Sequence, residues 1–198
     1  MRITDDRYTR DRQRFDLAFR MIHHEARTCT IRTWTGLSDD RIRKLYRSYA
    51  AQREGTVPVR HRGKSPRQAG FFTRTARARA QSAVLASLCR IHGLLPATGT
   101  AAERAQPALQ RAELLCHAYE MYRAETPTPL IGFEHAVFLL AALARADELV
   151  LGQCGECGAA LVTDRLSLRA PRCTVCEAPG AAAVSRLPLP ERVCNTEA

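Results

Sequence analysis

The chain has 198 residues, of which 45% are hydrophobic, and a formal net charge of +10. That length holds one large domain or two small ones, and that apolar content is ordinary for a globular protein. The longest apolar run, Ala136 to Ala144, is too short to span a bilayer, and the opening MRITDDRYTRDRQR lacks the apolar core of a signal peptide.

The charge is unevenly spread. Residues 1–80 carry twenty Lys/Arg against eight Asp/Glu, a net of +12, while residues 81–198 carry ten against twelve, a net of −2. The first part is therefore suited to a polyanion and the second to protein contacts. No helical stretch pairs a basic face with a bulky aromatic one, so nucleic acid is favoured over a membrane surface and no membrane partner is expected. Eight cysteines without a secretory signal fit a reducing compartment, so the expected location is the cytoplasm.

In chain order, residues 8–26 predict a helix with Phe15, Phe19 and Ile22 as its stripe, widened by Leu17, Ala18 and Met21. Residues 28–50 predict two helices. Thr28 is expected to cap the first, which ends at Gly36, a residue suited to a left-handed turn. Ser38 caps the second, Asp39 and Asp40 complement the dipole of its first turn, and Ile42, Leu45, Tyr46 and Tyr49 form its inward face. This order resembles a helix-turn-helix, whose second helix enters the major groove of DNA. The candidate DNA contacts are Ser38, Arg43, Lys44 and Arg47. Against them, Arg32 stands where a small residue is usual and the two aspartates repel phosphate, so the helix also admits a place against protein.

Residues 51–80 break the helical pattern at Gly55, Pro58, Gly63, Pro66 and Gly70, and after Glu54 they carry seven Lys/Arg and no acid. Two readings stand: a solvated basic loop, or an arm along the phosphate backbone in which Arg60, Arg62 and Lys64 supply salt-dependent affinity. Three more helices are predicted over 74–95 (Val84, Leu85, Leu88 and Ile91 inward), 104–124 (Leu114, Leu115, Tyr119, Tyr122) and 132–150 (Phe133, Val137, Leu140, Ala141, Ala144, Leu149). Apolar surface in the last two exceeds what they can cover, which predicts a helical protein partner. His117 and His135 read as ordinary helix residues. No Ser/His/Asp set, paired carboxylate or phosphate-binding loop appears, so no enzymatic activity is expected.

Residues 154–176, CGECGAALVTDRLSLRAPRCTVC, hold two C-x-x-C pairs, Cys154/Cys157 and Cys173/Cys176, fifteen residues apart. This spacing predicts one structural zinc ion per chain in a closed four-thiolate tetrahedron; disulfides or unpaired thiols are the alternative. Gly155 and Gly158 are expected at positive φ in the first knuckle. Ala160–Thr163 and Leu166–Leu168 are expected as the two strands of a hairpin, and Arg165, Arg169 and Arg172 as counter-charges or phosphate contacts. Cys29, Cys89, Cys116 and Cys194 read as plain thiols. Residues 178–198 read as a disordered tail in which a short apolar piece could dock.

The fold class is thus mostly α. A helical DNA- and partner-binding domain (1–152) is followed by a zinc ribbon (153–180) and a tail (181–198). The order of LSDDRIRKLY, AYEMYRAETP with its following apolar helix, CGECG and CTVC resembles the bacterial flagellar transcriptional activator FlhC family, the C subunit of the flagellar master regulator. The resemblance covers roughly residues 12–180. It implies a cysteine quartet that binds zinc and a heterohexamer of four helical D-type subunits with two C chains. It also implies binding to double-stranded promoter DNA and recruitment of RNA polymerase to flagellar genes. The competing readings are a zinc-ribbon RNA-binding or assembly protein, for which only Phe71 and Phe72 offer stacking faces, and an enzyme with the ribbon as an appendage.

Overall fold

The structure is a computed structural model that describes residues 2–52, 58–61, 63–95, 107–168 and 170–178, with side chains from residue 7 and, at the end of the third helix, up to Tyr49. The elements are α1 (Arg2–His23), α2 (Thr28–Thr35), α3 (Asp39–Gln52), a 3-10 turn (Ala69–Phe72), α4 (Ala76–Ile91), α5 (Ala108–Glu125) and α6 (Phe133–Arg145). A two-stranded hairpin, β1 (Leu149–Gln153) and β2 (Ala160–Asp164), and a single turn, α7 (Thr174–Glu177), follow. The described residues are mostly helical, with a cluster of four cysteines in the C-terminal part. No helix among the described residues is long and apolar enough to cross a membrane.

Each of the first three helices packs on the other two, and α1 and α2 also lie against α5. Leu17, Ala18, Met21 and Ile22 of α1 meet Ile31, Leu37 and Ile42 in one buried cluster. Leu45, Tyr46 and Tyr49 are only half-buried at its edge. Backbone hydrogen bonds from Ala26 to Met21 and from Glu25 to Ile22 close α1, with Glu25 at φ 59°. That is a Schellman stop built without glycine, and it ends α1 three residues before the sequence pattern does. The next stop does use glycine: Gly36, at φ 71°, closes α2 through its N–H to the Arg32 carbonyl. The cap at the start of α2 differs from expectation. Arg27 holds the cap position and Thr28 is already helical.

The predicted face of α4 is rotated. Ala78, Gln81, Ser82, Leu85, Ala86 and Cys89 are buried, while Val84 and Ile91 are 42% and 75% exposed. Helix α4 packs on α5, α6 and β2, so small residues beside Leu85 face neighbours on more than one side, while Val84 and Ile91 are left outside.

The last predicted helix stops early. Ala146 takes a left-handed conformation (φ 52°), and the last two residues of the predicted helix, 149 and 150, open a strand that runs to 153. Strand β1 pairs antiparallel with β2, Leu149 opposite Asp164 and Gln153 opposite Ala160. The expected second strand at 166–168 does not form; Leu166 and Leu168 are fully solvent-facing. Successive strand residues point to opposite faces, so burial of both Leu161 and Val162 means the hairpin is covered on both sides. Helix α4 lies against β2 and α6 against β1.

Three polar hubs join elements far apart in sequence. Tyr122 donates its hydroxyl to Gln81 Oε1 at 2.6 Å and accepts from the Ile131 N–H at 3.2 Å. The buried Glu134 carboxylate accepts from the Arg27 N–H (2.8 Å), the Thr30 hydroxyl (3.0 Å) and the Ser65 hydroxyl (3.0 Å). Arg20 and His24, one turn apart on α1, both reach Glu120 on α5.

Candidate functional site

The hairpin brings the two cysteine pairs together. Strand β1 delivers Cys154 and the chain turns at once: the Gly158 N–H bonds to the Cys154 carbonyl at 2.9 Å, the Cys154 N–H bonds to the Ala159 carbonyl at 2.8 Å, and Gly158 sits at φ 72°. Gly155, by contrast, is not at positive φ; its N–H instead anchors the Pro171 carbonyl, which holds the second pair beside the first. That second pair opens α7, where the Cys173 sulfur caps the Cys176 N–H at 3.4 Å.

All four Sγ atoms lie within 4.8 Å of one another, and those of Cys157 and Cys173 are 3.6 Å apart. No two of them are bonded. Thiolates at ~2.3 Å from a tetrahedral ion would stand roughly 3.8 Å apart, so this spacing fits a metal centre. The electrostatics agree. Burial opposes ionisation of Cys154, but the N–H groups of Cys173, Cys157 and Glu156 outweigh it and hold that thiol at about 6. Cys176 is pushed up to about 12, first by Cys157 and then by Cys173. One sulfur is thus prepared as an anion while Cys176 resists becoming one. A cation among them removes the conflict. The quartet can therefore hold a metal ion, and four protein ligands leave no open position on it.

The arginines near the ribbon have other partners. Arg165 donates to the Ala146 carbonyl at the end of α6, Arg172 pairs with Glu156 at 3.0 Å, and Arg169 lies outside the described residues. Arg79 of α4 pairs with Glu177 of α7 and ties the ribbon to the helices. A groove of about 880 Å³ remains between α4 and the ribbon, flanked by Val175 and Leu166, which are 65% and 84% exposed. The large exposed apolar side chains cluster here and on α4. In 107–150 only Met121 and Leu130 are of that kind, so the excess expected over α5 and α6 is mostly covered by α4 and β1.

The second expected site takes shape on α2 and α3. Ser38 accepts from the Arg41 N–H at 3.5 Å, a long cap, and Arg43, Lys44 and Arg47 are exposed on α3. Both aspartates have an arginine beside them: Asp39 pairs with Arg32 at 3.3 Å and Asp40 with Arg43 at 3.0 Å. The basic loop is not a free arm over the residues described. Glu25 accepts from the Val59 N–H and the His61 ring, and Arg60 reaches the Thr28 hydroxyl at 3.4 Å and lies 5.8 Å over the Tyr46 ring. Lys64 is exposed, and Arg62 lies outside the described residues. Phe72 is buried and Phe71 stacks on His135 with ring centres 4.3 Å apart. Cys89 and Cys116 are buried and pushed up to about 12, so both stay protonated. Cys194 and the segment from 179 lie outside the described residues.

Compared with known proteins, the chain matches no family model, and no curated protein sequence matches it.

Proposed function

We propose that this protein is a DNA-binding transcription regulator whose α2–turn–α3 segment enters the major groove and whose ribbon is held by one structural zinc ion. The observation that carries the reading is the α2–Gly36–α3 turn packed across α1, with Lys44 and Arg47 exposed and both aspartates of α3 paired with arginines. Zinc is the preferred ion because four thiolates at this spacing suit its tetrahedral, closed structural sites. A charge of +12 over the first eighty residues supports a polyanion partner. Burial of Phe72 and the Phe71–His135 stack remove the two aromatic faces that single-stranded RNA would need.

The motifs that resemble the flagellar activator family extend the proposal. It then acts in the cytoplasm beside a small helical D-type subunit, recruits RNA polymerase to promoters, and includes flagellar genes among its targets. The metal keeps the ribbon folded and takes no part in a reaction. Arg47→Ala should lower the ratio of cognate to scrambled duplex affinity by roughly 5- to 150-fold, the range of a lost base-edge contact. Titration of both duplexes at two salt concentrations measures that ratio. An unchanged ratio sinks base reading by α3.

A further inference from the structure

Where the starts of α2 and α3 meet Arg60, His61 and Gly63 there is a polar cavity of about 440 Å³. Arg27, Arg32, Arg43 and Arg60 line it from three separate segments, and Asp39 is the one acid among its lining residues. Three of these arginines already face carboxylates. Arg32 pairs with Asp39, Arg43 with Asp40, and Arg27 Nε lies 4.0 Å from Glu134. Arg60 is held by neutral groups, the Thr28 hydroxyl and the face of Tyr46, which aim its guanidinium without cancelling its charge. The Arg43–Asp40 pair is 54% and 82% exposed, so water already screens it and exchange for a stronger anion is easy.

We propose that this cavity clamps a single phosphate group of a duplex backbone, gripped jointly by Arg43 from α3 and Arg60 from the loop. The inference rests on the DNA-binding reading and changes the division of labour within it. Arg43 holds the backbone together with the loop, and Lys44 and Arg47 are left to face the bases. A planar guanidinium fork matches two phosphate oxygens, and two such forks from different segments fix the register of α3 on the duplex. Lys44 and Arg47 follow Arg43 within about one helical turn of ~5.4 Å, so a phosphate in the cavity lies beside the base-facing surface.

The test uses the full metal-loaded chain and a scrambled duplex, with affinity measured across a series of potassium chloride concentrations. One phosphate contact contributes about 0.9 to the slope of log affinity against log salt. Arg43→Ala and Arg60→Ala should each lower that slope by about one contact, and the double variant by no more than about one contact in total, because both grip the same group. A double variant that loses two contacts, or single variants that lose none, overturns the clamp. Both side chains are exposed, and matched melting temperatures exclude misfolding as the cause. If the wild-type chain binds no duplex at any salt, the DNA-binding reading falls and takes the clamp with it. If it binds but the slopes do not move, only the clamp falls. Inorganic phosphate is the second probe. Saturable shifts of the Thr28 and Cys29 amide signals, together with unmoved duplex slopes, would assign the cavity to a free phosphate and overturn the backbone assignment.

Discussion

In the α1–α3 unit, Met21, Ile22, Ile31, Leu37 and Ile42 lose nearly all contact with water, and the chain reverses at Glu25 and Gly36, whose N–H groups bond back to helix carbonyls. In the ribbon, ten strand residues bury only Leu149, Leu161 and Val162, and the chain reverses at two knuckles that converge on four sulfurs. Burying one large apolar side chain contributes about 1.5–3 kcal/mol. Five of them, spread over three helices and the turn between α2 and α3, make a unit that loses stability in steps. Three in a hairpin do not hold a ribbon, so that end depends on one centre and should fail all at once.

Loss of the metal tests this difference most severely. Zinc-finger peptides draw ~10 kcal/mol or more from their ion, and Cys154→Ser removes the most buried of the four ligands. Elemental analysis should find one zinc per wild-type chain and a sharply reduced content in the variant. Protease should then cut within 154–176 while the circular dichroism of the helices is largely kept. An undiminished metal content in Cys154→Ser, or none in the wild type, removes the metal centre.

The helical unit should break on a polar group before an apolar one. Glu134→Ala strands the Arg27 N–H, the Thr30 hydroxyl and the Ser65 hydroxyl at once. Each unsatisfied buried group costs about 1–3 kcal/mol, and partial rescue by water puts the expected loss at about 3 kcal/mol. Glu134→Gln, which keeps the acceptor oxygen, should lose about half of that. Equal losses in urea unfolding would mean that charge, and not hydrogen bonding, is what the site requires.

These hubs divide what the sequence discloses from what it hides. Gly36, Ser38 and the C-x-x-C pairs are legible because a turn or a metal knuckle is specified by residues only a few positions apart. Glu134, Tyr122 and Glu120 are not, since their partners lie 9 to 107 positions away and nothing local marks them. The Gln81 side chain, which bonds Tyr122, Leu130 and Thr128, reads in sequence as one more polar residue on α4. Strand β1 was hidden for a different reason. An apolar helix runs into LVLGQ with no proline or glycine before it, and Ala146 makes the stop in a conformation that alanine rarely adopts. Val84 and Ile91 mislead because periodicity weights large residues, whereas α4 is packed through Ala78, Ser82 and Ala86.

Acid sharpens the comparison within the helical unit. The hydrogen bond from Arg20 lowers the Glu120 carboxyl to about 2 from its ordinary 4.5. That stabilisation is complete above pH 4.5 and is lost as pH falls toward 2. Burial lowers His24 from its ordinary 6.5, so the unfolded chain takes up this proton more readily and stability already declines as pH drops below 6.5. Both contributions have the same sign. Glu120 is 38% exposed, which keeps its share small. The protection factors of α1 and α5 amides, referenced to the intrinsic exchange rate at each pH, should therefore fall from pH 7 to pH 5, independently of metal loss in the ribbon. His24→Gln should flatten that dependence and Glu120→Gln should not.

The smallest effect is a matched pair of substitutions, one on each side of the comparison. Gly36 closes α2 at φ 71° and nothing lies within 4 Å of where a Cβ would stand, so Gly36→Ala meets backbone strain alone. The left-handed conformation costs a side-chain-bearing residue about 1 kcal/mol, and the melting temperature should fall by a few degrees. Ala146 occupies the equivalent position between α6 and the hairpin, at φ 52°, with its N–H on the Ala142 carbonyl. Here the wild-type residue carries the strain, so Ala146→Gly should relieve it. The gain is below 1 kcal/mol, because glycine also frees the unfolded chain by roughly 0.5–1 kcal/mol. The two variants should thus shift stability in opposite directions, and the second shift should survive metal removal, since it acts at the end of α6 and not at the sulfurs. A stabilising effect of Ala146→Gly that vanishes on metal removal would mean that the junction, like the knuckles, is ordered only by the metal centre.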